Sequence, residues 1–305
     1  MNWFLIALIN PLAHSVANHF DKYLLSKHIK GGTVGSLIVF TSLFSFFALP
    51  VIFIFNSNVL SSVGWSDAIV LIINGSFVSI AVALYLYALD LDEASYVAPF
   101  FQFYPIFGFI LSYLFLGEVL VVNQFIGALF IILGSIILSI EFTKVEQKFK
   151  KKLILYMIGS SFFYAINAVI FKSIAVDQGF TDSLFWDMLG KFLFGVLVFV
   201  AFKKYRQQFL SLLEGSGFKM VAFNLFSEFV GLLGELAVIV AVLYAPVVLV
   251  QSVTGLQPLF VLLLGILITL HFPKFGKEEM SHRHLIQKIS GILIVTVGIF
   301  FLTVF

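Results

Sequence analysis

The chain has 305 residues, 61% of them hydrophobic and 11% charged, with a mean hydropathy of +1.08. A soluble domain needs roughly a quarter of its residues charged to solvate its surface, so a soluble globular protein is excluded and an integral membrane protein is expected. The formal net charge of +2 carries no message by itself, and the absence of cysteine rules out disulfides, thiol chemistry and thiolate metal sites.

A membrane span needs about 20 mostly apolar residues. Ten such stretches occur in chain order: 3–20, 34–55, 66–90, 94–116, 120–141, 153–175, 183–203, 218–243, 246–270 and 285–304. Backbone groups in hydrocarbon must hydrogen-bond internally, so each is expected to be a helix. The first has no basic leader and no small-x-small cleavage site, and Asn10, Pro11, His14 and Asn18 interrupt it, so it reads as a span rather than a signal peptide. No link is long enough for a soluble domain.

Charge placement sets the topology. Sixteen of the 18 basic residues fall in four links. Lys22, Lys27 and Lys30 follow the first span, and Lys144, Lys148, Lys150, Lys151 and Lys152 follow the fifth. Lys203, Lys204, Arg206 and Lys219 follow the seventh, and Lys274, Lys277, Arg283 and Lys288 flank the link after the ninth. All lie on one face of a ten-helix topology, with none in the links after spans 2, 4 and 8. The positive-inside rule makes that face cytoplasmic, in a cell inner or plasma membrane, with both termini outside.

The sequence also repeats. Residues 88–107 (ALDLDEASYVAPFFQFYPIF) align with 241–260 (AVLYAPVVLVQSVTGLQPLF), pairing Ala88 with Ala241, Pro105 with Pro258 and Phe107 with Phe260. Gly127 and Gly134 pair with Gly291 and Gly298, and Lys22 with Lys172. The expected domains are a first repeat at 1–141, a basic linker at 142–152 and a second repeat at 153–305. Five spans per half make the second half inverted. The fold class is therefore all-α integral membrane: ten transmembrane helices as two inverted five-helix repeats around a central cavity.

Polar residues within spans are costly and mark candidate sites. Span 1 places Asn10, His14 and Asn18 on one helix face, and its repeat mate, span 6, does the same with Ser160, Tyr164 and Asn167. Matched stripes suggest a shared cavity, although interhelical hydrogen bonding alone would use the same stripes. Span 3 adds Asn74 and Tyr85, span 4 Gln102, Tyr104 and Pro105, and span 9 Gln251, Thr254, Gln257 and Pro258. The prolines permit bends. In span 8, Asn224, Glu228, Gly231 and Glu235 form one stripe, where the first repeat has Gly75 and Val82 in place of the carboxylates. Taking a carboxyl group out of water disfavours its charged form, so Glu228 and Glu235 are proton-coupling candidates. Asp187 and Lys191 stand four apart in span 7, the spacing of a helical ion pair, and Lys191 could equally serve one of the span 8 carboxylates. His271, His282 and His284 sit in a solvated basic link and do not form a credible metal site. No phosphate-binding loop and no protease or hydrolase motif occurs, so no cofactor, no ATP drive and no enzyme are expected. The basic links are explained by topology and need no nucleic acid.

The pattern Ala88, Ala94, Ser95, Pro105, Gly117, Glu118, followed by Gln124, Gly127 and Gly134, resembles the EamA-type drug/metabolite transporter superfamily across both repeats. The resemblance implies a basket whose cavity is lined by helices 1, 3, 4, 6, 8 and 9, moving amino acids, nucleotide sugars, drugs or other metabolites. The sequence departs from the family pattern in two ways. The second repeat has no acidic residue where the first has Glu118, and well-studied relatives keep both termini in the cytoplasm. The expectation is a secondary transporter of a small polar or amphipathic metabolite, with export the direction the resemblance favours. The expected substrate-binding set is Asn10, His14, Asn18, Asn74, Tyr85, Gln102, Tyr104, Tyr164, Asn167, Asn224, Gln251 and Gln257. Partners are a small-molecule substrate and membrane lipids, and nothing in the pattern requires more than one copy. Other readings are an uncoupled exchanger, a flippase for a lipid-linked molecule, or a non-transporting membrane scaffold.

Overall fold

The computed structural model describes residues 3–27, 34–91, 97–139, 151–215, 217–271 and 282–304. Every regular element among them is helical. In chain order they are α1 (Trp3–Ala7), α2 (Ile9–Lys27), α3 (Val34–Phe44), α4 (Ala48–Phe55), α5 (Val59–Ser62), α6 (Trp65–Leu91), α7 (Phe103–Leu116) and α8 (Val122–Ser139). Then follow α9 (Lys151–Gln178), α10 (Phe180–Ala201), α11 (Lys203–Gly215), α12 (Gly217–Val242), α13 (Val247–Thr254), α14 (Gln257–His271) and α15 (His282–Val304). Short 3-10 turns at Ser45–Phe47 and Ala98–Gln102 join α3 to α4 and lead into α7. Six helical runs are long and apolar enough to cross a membrane: Val34–Phe55, Trp65–Ala88, Lys151–Gln178, Phe180–Ala201, Leu225–Val242 and Val247–Ile268. Four shorter apolar runs occupy Trp3–Ala17, Phe100–Leu116, Val122–Ile137 and Ile289–Phe301.

Local chemistry places the breaks. Gly117 adopts φ +64, ending α7 in a left-handed conformation that costs glycine no Cβ clash, and the Glu118 N–H after it reaches back to the Ser112 carbonyl at 3.2 Å. The α13–α14 run breaks at Gly255 and Leu256, ahead of Pro258, whose missing N–H cannot continue the ladder. Nearby, the Ser15 hydroxyl on α2 donates to the Gln257 carbonyl at 3.1 Å.

Glycine governs how closely the helices approach. α8 and α15 run antiparallel, with Gly134 against the Gly291 carbonyl and Val295, and Gly298 against the Gly127 carbonyl and Ile131. A Cβ at Gly75 on α6 would overlap the Asp187 carbonyl of α10, and one at Gly190 would overlap the Ile72 carbonyl in return.

The link after span 7, read from sequence as a basic loop, is helical over Lys203–Gly215. Tyr205, Phe209 and Leu213 recur at helical spacing there, a short amphipathic pattern that periodicity over a spanning length does not reveal. Tyr205 packs on Gly35 at the start of α3, its hydroxyl against that of Tyr87, and Phe209 meets the rings of Phe40 and Phe199. Lys30, Lys144, Lys148, Lys150, Lys274 and Lys277 lie outside the described residues, as do the side chains of Lys22, Lys27, Lys219, Arg283, Lys288, His282 and His284. His271 is exposed at the end of α14.

Candidate functional site

Polar side chains of the helix interiors fall into three groups. The first surrounds His14 on α2, Tyr104 on α7 and Tyr164 on α9. Each is only partly buried, and all three lie in the electrostatic field of Glu235, which makes the region between them the candidate internal space. The Tyr104 and Tyr164 rings meet edge to face at 6.0 Å, and Tyr164 lies in the electrostatic field of Glu235, Tyr85 and Glu228. Tyr85 packs on Phe101 at 5.0 Å. His14 sits beside Gly231 and Gly234 of α12, whose missing side chains let the Asn10–His14 face lie against that helix. Asn10 is buried at this contact. On α12, Glu228 accepts the Thr41 hydroxyl of α3 at 2.5 Å, and Gln257 is half-buried at the start of α14.

The second group is fully buried. Asp187 Oδ1 accepts the Asn74 amide of α6 at 2.8 Å and the Asn167 amide of α9 at 3.3 Å. Each asparagine also donates to the other's backbone carbonyl, both at 3.2 Å. Asn74, Asn167 and Asp187 are 0%, 6% and 1% exposed, so the two asparagines expected along the cavity turn instead onto a carboxylate. The ion pair expected between Asp187 and Lys191 is corrected by this arrangement. Lys191 donates to Glu235 of α12 at 2.7 Å, while the two amides occupy Asp187. The close approach of α6 and α10 through Gly75 and Gly190 is the physical reason, because it presents Asn74 to Asp187 within the bundle.

Gln102 and Gln251 form part of the seam between α7 and the α13–α14 run. Gln102 abuts Gly255 and Gln251 abuts Gly108, both side chains fully buried. Gln251 approaches the Tyr104 hydroxyl without reaching hydrogen-bond geometry. Neither glutamine faces the internal space in this conformation. The side chains of Asn18 and Asn224 lie outside the described residues.

The third group was not foreseen as a unit. Lys172 on α9 pairs with Glu118 at 2.5 Å and donates to the Ala245 carbonyl at 2.6 Å. The other Glu118 oxygen accepts the Val247 N–H at 2.8 Å, placing a carboxylate at the N-terminus of α13, where the helix dipole favours it. One pair thus ties the end of α7, α9 and the turn before α13. In the sequence Glu118 stands out only as part of the family-like pattern. The signal for its partner was the repeat pairing of Lys172 with Lys22, which singled out the lysine but not its contact.

Residues 1–140 match the EamA-like transporter family. This agrees with the resemblance read from Ala88 to Gly134: the first 140 residues of the chain are similar to EamA-type transporters. A protein crystal structure at 15% identity superposes with a TM-score of 0.63 over 99% of this chain and 96% of its own, so the two share a fold. No curated protein matches the chain. Within the EamA-like unit fall His14, Asn74, Tyr85, Tyr104 and Glu118. The residues that complete each group, Tyr164, Asp187, Lys191, Glu235 and Lys172, come from beyond residue 140.

Proposed function

We propose that this EamA-type protein is a secondary transporter that moves a small polar or amphipathic metabolite, an amino acid or related compound, by alternating access. The observation that carries the reading is the internal space bounded by His14, Tyr104 and Tyr164, which takes residues from both halves and has carboxylates nearby. Membrane proteins place ionisable residues at such depth for substrates and ions.

The architecture we infer is ten spans in two inverted five-helix repeats. Two contacts support it. Gly134 and Gly298 are repeat mates, as are Gly127 and Gly291, and Ile131 and Val295 are related by the same offset; each member of one set touches the mate of another, as a two-fold axis requires. Gln102 and Gly255 are related by the offset of 153 and touch each other, a contact that supports the same two-fold reading. The basic links face the cytoplasm in this reading, both termini face out, and export is the working direction. A proton gradient is the driving force we favour.

The test exploits the cysteine-free chain. Single cysteines at positions 14, 164 and 228 should react with a membrane-impermeant maleimide from one face at a time, and radiolabelled amino acids should protect them. Uniform protection without any amino acid would remove the transport reading in favour of a scaffold.

A further inference from the structure

We propose that Asp187 is the proton-carrying group of this transporter, held for that task between the Asn74 and Asn167 amides. The proposal rests on the transport reading above and moves the coupling role away from the two carboxylates of α12.

The cluster is a built site. Asn74 and Asn167 hold one another through two backbone carbonyls, and Gly75 and Gly190 bring the α6 and α10 backbones into contact beside them. Both amides converge on Oδ1 of Asp187, so Oδ2 is the oxygen open to a proton. Asp187 is 1% exposed, and among the described residues no cation stands within ion-pair distance of it. The charged and titratable groups around it are Lys191 on α10 itself and Glu235 from α12. Those two are already paired at 2.7 Å, and α6 and α9 present only neutral asparagines. Farther along α9, Lys172 is committed to Glu118.

A buried carboxylate whose partners are neutral amides keeps a charge that nothing beside it cancels, whereas the Lys191–Glu235 pair is neutral as a unit. Asp187 is therefore the place where adding one proton neutralises the network, and where removing it restores a single negative charge. The proton adds to Oδ2 and later leaves from the same atom, so no other bond is made or broken. The Asn74 side-chain oxygen is fully buried and has no hydrogen-bond partner. A half-turn of that amide would present it to the carboxyl group as the acceptor for its O–H, so the cluster can serve both protonation states. Lys191 and Glu235 act electrostatically on both Asp187 and His14.

Infrared pH titration of the purified full chain tests this without a known substrate. On acidification, wild type and Glu228→Gln should gain a carboxylic-acid carbonyl band that Asp187→Asn lacks and Asp187→Glu restores at a shifted frequency; Glu235→Gln, whose freed Lys191 can turn to Asp187, should gain the same band at lower pH. Loss of the band in Glu228→Gln or Glu235→Gln, with Asp187→Asn unchanged, would overturn the proposal. In proteoliposomes with radiolabelled amino acids, Asp187→Asn should still exchange label at equal pH but fail to accumulate it against a pH gradient. Gradient-driven accumulation kept by Asp187→Asn would equally overturn it. If the wild type moves no amino acid at all, the substrate reading fails, and the infrared result still decides the role of Asp187.

Discussion

Breaking the Lys191–Glu235 pair gives the sharpest test of the buried network. Lys191→Met removes the ammonium and leaves Glu235 with no cation at 2.7 Å. Removing one partner of a buried pair costs about 3–5 kcal/mol, because a charge is left uncompensated. The Glu235 side chain is 19% exposed against 5% for Lys191, so water from the internal space relieves part of that cost, and about 3 kcal/mol is expected. Glu235→Gln should cost less, about 1–2 kcal/mol, since the freed Lys191 can turn to Asp187 one helical turn away. The double variant removes both charges and should lie within about 1 kcal/mol of the better single, giving a large coupling term in the cycle. At roughly 2–3 °C per kcal/mol for a chain of this size, Lys191→Met should lower the melting temperature by about 6–9 °C. The assay is a thermal melt of the detergent-purified variants. Equal losses for the two singles, or a double whose loss is their sum, would refute the reasoning that Lys191 has Asp187 as a second available partner and that the pair is neutral as a unit.

Other consequences can be checked in the same preparations. Gly134→Leu should force the antiparallel α8–α15 contact apart and cost about 1–3 kcal/mol or prevent folding, with Gly298→Leu matching it if the two-fold contact holds; the melting temperatures of the two variants make the comparison. The near-isosteric Thr41→Val deletes the hydroxyl that Glu228 accepts at 2.5 Å and should lower stability by about 1–2 kcal/mol in the same melts, while Thr41→Ser, which keeps the hydroxyl, should retain most of it. Lys172→Met should loosen the tie between α9 and the turn before α13. Cysteine placed at position 245 should then label several-fold faster than in the Lys172 background, and unchanged labelling would show that Glu118 holds the turn alone through Val247. A cysteine at position 164 should label and one at 167 should not, because Tyr164 faces the internal space and Asn167 faces Asp187.

Some of this was legible in the sequence because it depends on local chemistry. Apolar length dictates helices wherever hydrocarbon denies the backbone any other partner, and among the described residues six apolar helical runs are of spanning length, with four shorter ones beside them. Helical periodicity put His14 and Tyr164 on polar faces, and both border the internal space. The paired glycines at 127, 134, 291 and 298 were visible as a repeat. That they touch each other was not, because an offset in sequence says nothing about which surfaces meet. α11 was missed because its apolar face spans too few residues to stand out beside membrane-length segments.

What the sequence by itself determined is the class of molecule: a helical membrane protein with a small stock of intramembrane polar groups. Partner choice was decided only in three dimensions. At i, i+4 spacing Lys191 and Asp187 look like a pair, yet Lys191 takes Glu235, 44 residues on, and Asp187 takes amides from two other helices. Lys172 and Glu118 stand 54 residues apart and meet at one turn. The physical reason is that a side chain's preference is set by charge and hydrogen-bonding capacity, which composition reveals, whereas its opportunity is set by how closely two backbones approach. Glycines on facing helices control that approach, and only packing shows which helices face each other.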